Sequence, residues 1–227
     1  MDRLVVIGGD AAGMSAASQA RKRRGPDDLQ IVAFERGRST SYSACGIPYW
    51  ISGAVEREEQ LVSRSPEQHR RNHIDVRTRT EVVGIDLAAR HVRARDLDSG
   101  DEYTEAFDDL VYATGSVPTR PPVPGIDAAG VYGVQTLDDG AALRDALTDE
   151  VRRVVIVGGG YIGLEVAEAC QVRGLAVTVV DRSPTPVAMF DPDIGTFLAD
   201  AVRGLGIELV LGDGVTEIAT DADGRAK

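Results

Sequence analysis

Two glycine clusters and one cysteine carry most of the chemistry that this sequence offers. Gly8 and Gly9, with Gly13 four residues on, follow the β-branched run Leu4–Ile7; Gly158-Gly159-Gly160, with Gly163, follow Val154–Val157. A glycine turn that opens a helix presents unpaired backbone N–H groups and the positive end of the helix dipole, which is what a pyrophosphate requires. Each unit then closes its next strand on an acid, Glu35 lying 22 residues past Gly13 and Asp181 lying 18 past Gly163. At an offset of roughly 20 residues such a carboxylate can accept hydrogen bonds from an adenosine ribose. One fingerprint is a weak signal, since the glycines could serve helix packing and the acid could be a solvated loop residue. Two of them imply two bound dinucleotides. The first departs from the pattern at Asp10, where a glycine is expected; this carboxylate must face away from the pyrophosphate or weaken the site. Arg182, next to Asp181, could receive a 2′-phosphate, so NADH is favoured and NADPH stays open.

Cys45 and Cys170 are the two cysteines, far apart in sequence and unsuited to a disulfide framework. Cys45 lies in Ser41-Tyr42-Ser43-Ala44-Cys45-Gly46-Ile47-Pro48-Tyr49-Trp50. Pro48 suits a first helical turn, so a helix is expected to begin just after Cys45, which would favour the reactive thiolate. A lone cysteine is more often inert packing, and Cys170, late in an apolar helix, fits that description.

The first unit reads as strand Leu4–Ile7, a helix stopped by Arg21-Lys22-Arg23-Arg24 and Gly25-Pro26, and strand Leu29–Phe34. The second reads as strand Val154–Val157, helix Leu164–Arg173 and strand Ala176–Val180. Between them, short runs at Asp75–Thr78, Glu81–Val83 and His91–Ala94, separated by turn residues, suggest an antiparallel meander over about 73–110, followed by the buried strand Leu110–Ala113. Pro118, Pro121, Pro122 and Pro124 mark a crossing. The expected fold is therefore α/β with two Rossmann-like dinucleotide-binding domains, 1–118 and 151–227, joined by a crossing segment 119–150, the first domain carrying the meander. Asp221–Lys227 reads as a hairpin turn with no return strand.

The 227 residues carry 25 Lys plus Arg against 36 Asp plus Glu, a formal charge of −11. Such a chain lacks the basic footprint that nucleic acid or an anionic membrane selects. No apolar run approaches the roughly 18 residues of a membrane span, and a cytoplasmic location is expected. No metal-ligand set is assigned.

The motif series Val6-Ile7-Gly8-Gly9-x-Ala11-Ala12-Gly13, Glu35, Ser-x-x-Cys45-Gly-Ile-Pro-Tyr, Tyr112-Ala113-Thr114-Gly115-Ser116-x-Pro118 and Gly158-Gly-Gly-Tyr-Ile-Gly-Leu-Glu165 resembles the FAD-dependent pyridine nucleotide-disulfide oxidoreductases. The resemblance runs the length of the chain. The classical disulfide reductases carry a second cysteine five positions after the first, where this sequence has Trp50, so the likeness is to the single-cysteine branch: coenzyme A-disulfide reductases, NADH oxidases and NADH peroxidases. Cys-Gly-Ile-Pro-Tyr is most similar to the first of these. Oxidases and peroxidases carry a histidine where Ala11 stands here. The asparagine that coenzyme A-disulfide reductases place before the cysteine is Ala44.

The resemblance implies FAD on the first unit, held by Gly8, Gly9, Ala12, Gly13, Glu35, Arg36, Ser43, Val82, Thr114 and Gly115. It implies NADH or NADPH on the second, held by Gly158, Gly160, Tyr161, Ile162, Gly163, Glu165, Asp181 and Arg182, with Tyr161 moving off the flavin face to admit the nicotinamide. Cys45 becomes the catalytic thiol, and Ser15, Gln19, Lys22 and Ser41 hold coenzyme A. The implied activity is flavin-dependent NAD(P)H reduction of coenzyme A disulfide or a similar small disulfide. The alternatives are an NAD(P)H oxidase and a ferredoxin- or rubredoxin-type reductase, the latter having no use for Cys45. Members of the family run to about twice this length, and the further half supplies a second FAD-contacting segment and a homodimer interface. On that basis the chain is expected to be a part of the fold that binds FAD weakly and turns over poorly on its own.

Overall fold

The computed structural model describes residues 1–227. In chain order the elements are β1 (Asp2–Ile7), α1 (Ala11–Arg23), β2 (Leu29–Phe34), α2 (Ile47–Ser52), α3 (Pro66–Arg71), β3 (Asp75–Arg77), β4 (Thr80–Asp86) and β5 (His91–Asp96). They continue with β6 (Glu102–Ala106), β7 (Asp109–Tyr112), α4 (Leu137–Ala146), β8 (Arg153–Val157), α5 (Tyr161–Val172), β9 (Ala176–Asp181), α6 (Pro192–Gly204) and β10 (Glu208–Leu211). Two compact units divide them, 1–43 with 59–116, and 44–58 with 117–227.

The first unit is built on a four-stranded parallel sheet of order β3-β2-β1-β7, with a separate antiparallel sheet β4-β5-β6. Successive residues of β1 and β2 point to opposite faces, and both faces are dry. Leu4, Val6, Ile31 and Ala33 meet Met14 and Ala17 of α1, while Val5, Ile7, Val32 and Phe34 meet Val92 and Ala94 of the meander and Phe107. Each large apolar side chain removed from water here contributes roughly 1.5–3 kcal/mol, and burial on both faces explains why these strands read as unbroken apolar runs. The half-buried Glu105 ties the two layers, accepting from Arg3 at 2.6 Å and from Arg77 at 2.8 Å, with the Arg77 guanidinium 5.5 Å over the Phe34 ring.

One expectation is corrected. Asp75–Arg77 does not open the meander; it pairs parallel with β2, and the antiparallel sheet begins at Thr80. Ile74 and Val76 are buried in the core beneath α1, which selects the parallel register, and Arg79 at φ +55 turns the chain out of it.

In the second unit β10, β9 and β8 form a parallel sheet. Residues 44–58 belong here because α2 buries Ile47, Trp50 and Ile51 and packs on α4 and α5, while Arg144 lies 5.3 Å over the Trp50 ring. The 119–150 stretch contains α4, opened by a capping box in which Thr136 and Asp139 satisfy each other's backbone N–H groups. Val155 and Val157 of β8 are 61% and 54% exposed, so one face of this parallel sheet is open. The final turn is closed by a single antiparallel bridge between Thr220 and Ala226 with no strand following, and Asp221 Oδ1 accepts from the N–H groups of Asp223 and Arg225. No helix is long and apolar enough to cross a membrane.

Candidate functional site

Because β1, β2 and β7 run parallel, their carboxyl ends bring Gly8–Gly9, Glu35–Arg36 and Ala113–Gly115 to one edge of the first sheet. Gly8, at φ +110, has a backbone conformation that a side chain would strain, and a Cβ there would overlap the Ala113 carbonyl. A Cβ on Gly13 would overlap the Gly8 carbonyl, so the third glycine lets α1 seat directly on the turn. The second unit repeats the positive φ of the first glycine and the close seat of the last, although a Cβ on Gly158 would meet open space where one on Gly8 meets Ala113. Gly158 sits at φ +108, and a Cβ on Gly163 would overlap the Gly158 carbonyl.

The acids are also used alike. Glu35 Oε2 accepts from Gly9 N–H at 2.7 Å and its Oε1 from Gly37 N–H at 2.7 Å. Asp181 Oδ2 accepts from Gly159 N–H at 2.5 Å and its Oδ1 from Ser183 N–H at 2.7 Å. Each carboxylate therefore braces the glycine turn while keeping lone pairs for further donors, because an ionised carboxylate has about four acceptor sites. Burial works to raise the Asp181 pKa, but the Ser183 and Gly159 N–H groups and the adjacent Arg182 outweigh it and hold the carboxyl below its ordinary value.

Neither helix start is capped by a side chain, and neither has an acid in its first turn. No capping box like those of α3 and α4 opens α1 or α5; at α1 the Asp10 carboxylate meets the Ala11 N–H, and the N–H groups that follow have no side-chain cap. Nothing lies within 4 Å of a Cβ placed on Gly115, Gly158 or Gly160, so these glycines border open space. Both turns thus fit the pyrophosphate of a dinucleotide.

Around the first turn, Ala12, Arg36, Ser43 and Thr114 are exposed, Gly115 takes φ +68, and Val82 lies half-buried at a β-bulge in β4. Thr80 N–H donates to the Glu35 carbonyl at 2.9 Å, which fastens the start of that strand to the acid's own backbone. Around the second, Tyr161, Ile162, Glu165 and Arg182 are exposed. The Tyr161 ring stands edge-on to Phe190 at 5.9 Å, and Val187, at φ +48, donates its N–H to the Gly159 carbonyl at 2.9 Å. The 183–190 loop is thereby pinned to the turn.

Ser15, Gln19 and Lys22, on one face of α1, share a cavity of about 390 Å³ with Ser41. Its wall also holds Asp10, Ser18, Tyr42, Arg64 and His69, none of which the sequence singles out for this role. Asp10 Oδ1 accepts from Tyr42 N–H at 3.2 Å, which turns the carboxylate toward the loop after β2. Burial, with a smaller contribution from Glu35, raises its pKa against the opposing Tyr42 hydrogen bond.

Cys45 is exposed and lies in a 3-10 turn, Ala44–Gly46, directly ahead of α2. A helix does begin after it with Pro48 in the first turn, but it is only 6 residues long. Cys170 is fully buried in α5, and that burial pushes its thiol pKa up.

The family model for pyridine nucleotide-disulphide oxidoreductase matches residues 2–227. An NADH oxidase of Methanocaldococcus jannaschii is 36% identical over 212 residues, covering 92% of this chain and 47% of that protein. A CoA-dependent NAD(P)H sulfur oxidoreductase of Pyrococcus abyssi is 36% identical over 203 residues, covering 88% and 44% respectively. Among solved structures, the water-forming NADH oxidase of Lactobacillus brevis, bound to NADH, superimposes with a TM-score of 0.92 at 29% identity, covering 98% of this chain and 49% of that one. The chain spans about half the length of these relatives. With the match running over both glycine turns and everything between them, the chain belongs to the pyridine nucleotide-disulphide oxidoreductase family.

Proposed function

We propose that this chain is the dinucleotide-binding part of a flavin-dependent NAD(P)H oxidoreductase that reduces a disulfide or persulfide of coenzyme A. FAD is assigned to the first turn, NAD(P)H to the second, coenzyme A to the cavity on α1, and the redox step to Cys45. The observation that carries the reading is the duplication of an uncapped helix start whose second glycine is braced by the acid from the next strand.

On the first unit, the N–H groups of Ala12 and Gly13 bind pyrophosphate, while Glu35 accepts from the ribose and Val82 offers backbone to the adenine. Thr114 and Gly115 contact the flavin end. On the second, Gly160 and the first turn of α5 bind the nicotinamide nucleotide's pyrophosphate, and Asp181 accepts from its ribose. The ionised Asp181 opposes a 2′-phosphate, which favours NADH. Tyr161 screens the entry. FAD supplies, when bound, the relay of two electrons from NAD(P)H to a sulfur acceptor.

The Cys45 thiolate attacks one sulfur of the disulfide; the S–S bond breaks, one thiolate leaves and takes a proton from solvent, and Cys45 becomes a mixed disulfide. Two electrons from NAD(P)H and a second proton then release the other thiol and restore the Cys45 thiolate. Lys22 and Arg64 supply positive charge for the phosphates of the departing thiol.

A second reading, an NADH oxidase, draws on the M. jannaschii relative. Ala11 disfavours it, since the methyl group has no donor with which to stabilise an oxidised Cys45. Intact-mass measurement after exposure to coenzyme A disulfide tests the first reading. A single coenzyme A adduct on wild type, absent from Cys45→Ser and retained by Cys170→Ser, supports it; no adduct, or one on Cys170, overturns it.

A further inference from the structure

The cavity on α1 contains an arrangement that the assignments above do not use. His69 of α3 is 1% exposed, and its Nε2 lies 3.0 Å from Ser41 Oγ. Its Nδ1 is buried with no hydrogen-bond partner. Ser41 itself is held at φ +50, a strained conformation for a non-glycine residue that persists only where the surroundings over-determine it. They do so here. Ser41 N–H donates to the Gly9 carbonyl at 3.2 Å, its carbonyl accepts from Ser63 N–H at 2.9 Å, and its hydroxyl meets His69. Three segments of the chain therefore converge to fix one serine on the cavity wall.

The proton arrangement follows from the buried nitrogen. Burial, with the nearby Arg64 charge adding to it, pushes the His69 pKa down to about 4, so the ring is neutral near pH 7 and carries one N–H. Placing that hydrogen on Nδ1 would bury an unsatisfied donor, the costlier kind of orphan; placing it on Nε2 satisfies it against Ser41 Oγ. With a lone pair of the hydroxyl occupied by Nε2–H, the Ser41 O–H is left to point along the cavity. We propose that His69 is a positioning residue that makes Ser41 a hydrogen-bond donor toward an anionic oxygen of the ligand. The ligand class is a phosphate-bearing thiol, with Lys22 and Arg64 as its counter-charges. The inference rests on the assignment of this cavity to coenzyme A.

The test combines a spectrum with a double-mutant cycle. A long-range 15N–1H correlation spectrum of the chain shows three histidines, and His69 is expected as the neutral Nε2–H tautomer. In calorimetric titrations with coenzyme A, Ser41→Ala and His69→Phe are each expected to weaken binding about tenfold. Their combination should weaken it no further, and His69→Gln, whose amide can donate from the same place, should stay within about twofold of wild type. An Nδ1–H tautomer, or losses that multiply in the double variant, overturns the role of His69 and leaves the cavity assignment standing. No coenzyme A binding by wild type overturns both. Should His69→Phe fail to fold, the wild-type tautomer and the Gln variant decide.

Discussion

Glu35 and Gly9 are joined by a 2.7 Å hydrogen bond from the glycine N–H to a carboxylate oxygen, and Asp181 with Gly159 repeats the bond at 2.5 Å in the other unit. The acid that would receive a ribose is thus also a structural brace for the pyrophosphate turn. Asn in place of Asp181 offers one oxygen to two backbone N–H donors, those of Gly159 and Ser183, and turns an amide NH2 against the other. Asp181→Asn is expected to cost about 1–3 kcal/mol of stability in urea unfolding and to weaken NADH binding by about tenfold. An unchanged unfolding midpoint would contradict the bracing role.

The glycines of the second turn separate into packing and access. Gly163→Ala drives a methyl group into the Gly158 carbonyl, backbone that cannot give, and is expected to cost at least about 2 kcal/mol. Gly160 has φ −76 and open space around its Cβ direction. Gly160→Ala should leave stability within about 0.5 kcal/mol and instead weaken NADH binding, because the methyl occupies the ligand's side. Thermal melts and fluorescence titration of the two variants distinguish the cases.

The two thiols should behave oppositely. Cys45 is exposed, whereas Cys170 is buried with its thiol pKa raised by that burial. A thiol reagent is expected to modify one cysteine per native chain, mapped to Cys45 by peptide mass, and both in denaturant. Rapid modification of Cys170 in the native chain would show that α5 opens.

His69 gives the protein a pH-dependent stability. Its folded pKa of about 4 lies below the ordinary 6.5, so between these values the unfolded chain holds a proton that the folded one lacks. The stabilisation is complete above pH 6.5 and falls as pH drops toward 4, by roughly 2–3 kcal/mol over that window. Urea unfolding at pH 7 and pH 5 is expected to show a smaller drop for His69→Gln than for wild type. Equal drops would place the protonation elsewhere.

Both nucleotide units were legible because their signals are local: a β-branched run, glycines at fixed offsets and an acid about 20 residues on all lie within one βαβ segment. Asp75–Arg77 misled because three residues beside a meander carry no mark of parallel pairing; burial of Ile74 and Val76 decides it. The helices α3 and α4 were not expected from the sequence; the structure shows both opened by capping boxes, Ser65 with Gln68 and Thr136 with Asp139. The cavity was half legible. Ser15, Gln19, Lys22 and Ser41 were named through the family resemblance alone, whereas the Ser41–His69 contact joins residues 28 apart through a left-handed turn that no local pattern announces.

In the proposed function, Cys45 is the thiol through which electrons from NAD(P)H leave a bound flavin. Anaerobic NADH titration of the FAD-loaded protein, wild type beside Cys45→Ser, measures this most directly. After pre-treatment with coenzyme A disulfide, wild type is expected to take up a first two-electron equivalent with the appearance of a long-wavelength thiolate-to-flavin band and a second that bleaches the flavin, whereas Cys45→Ser bleaches with the first equivalent and shows no band. Equal NADH consumption with no such band, or the same band in Cys45→Ser, would contradict it.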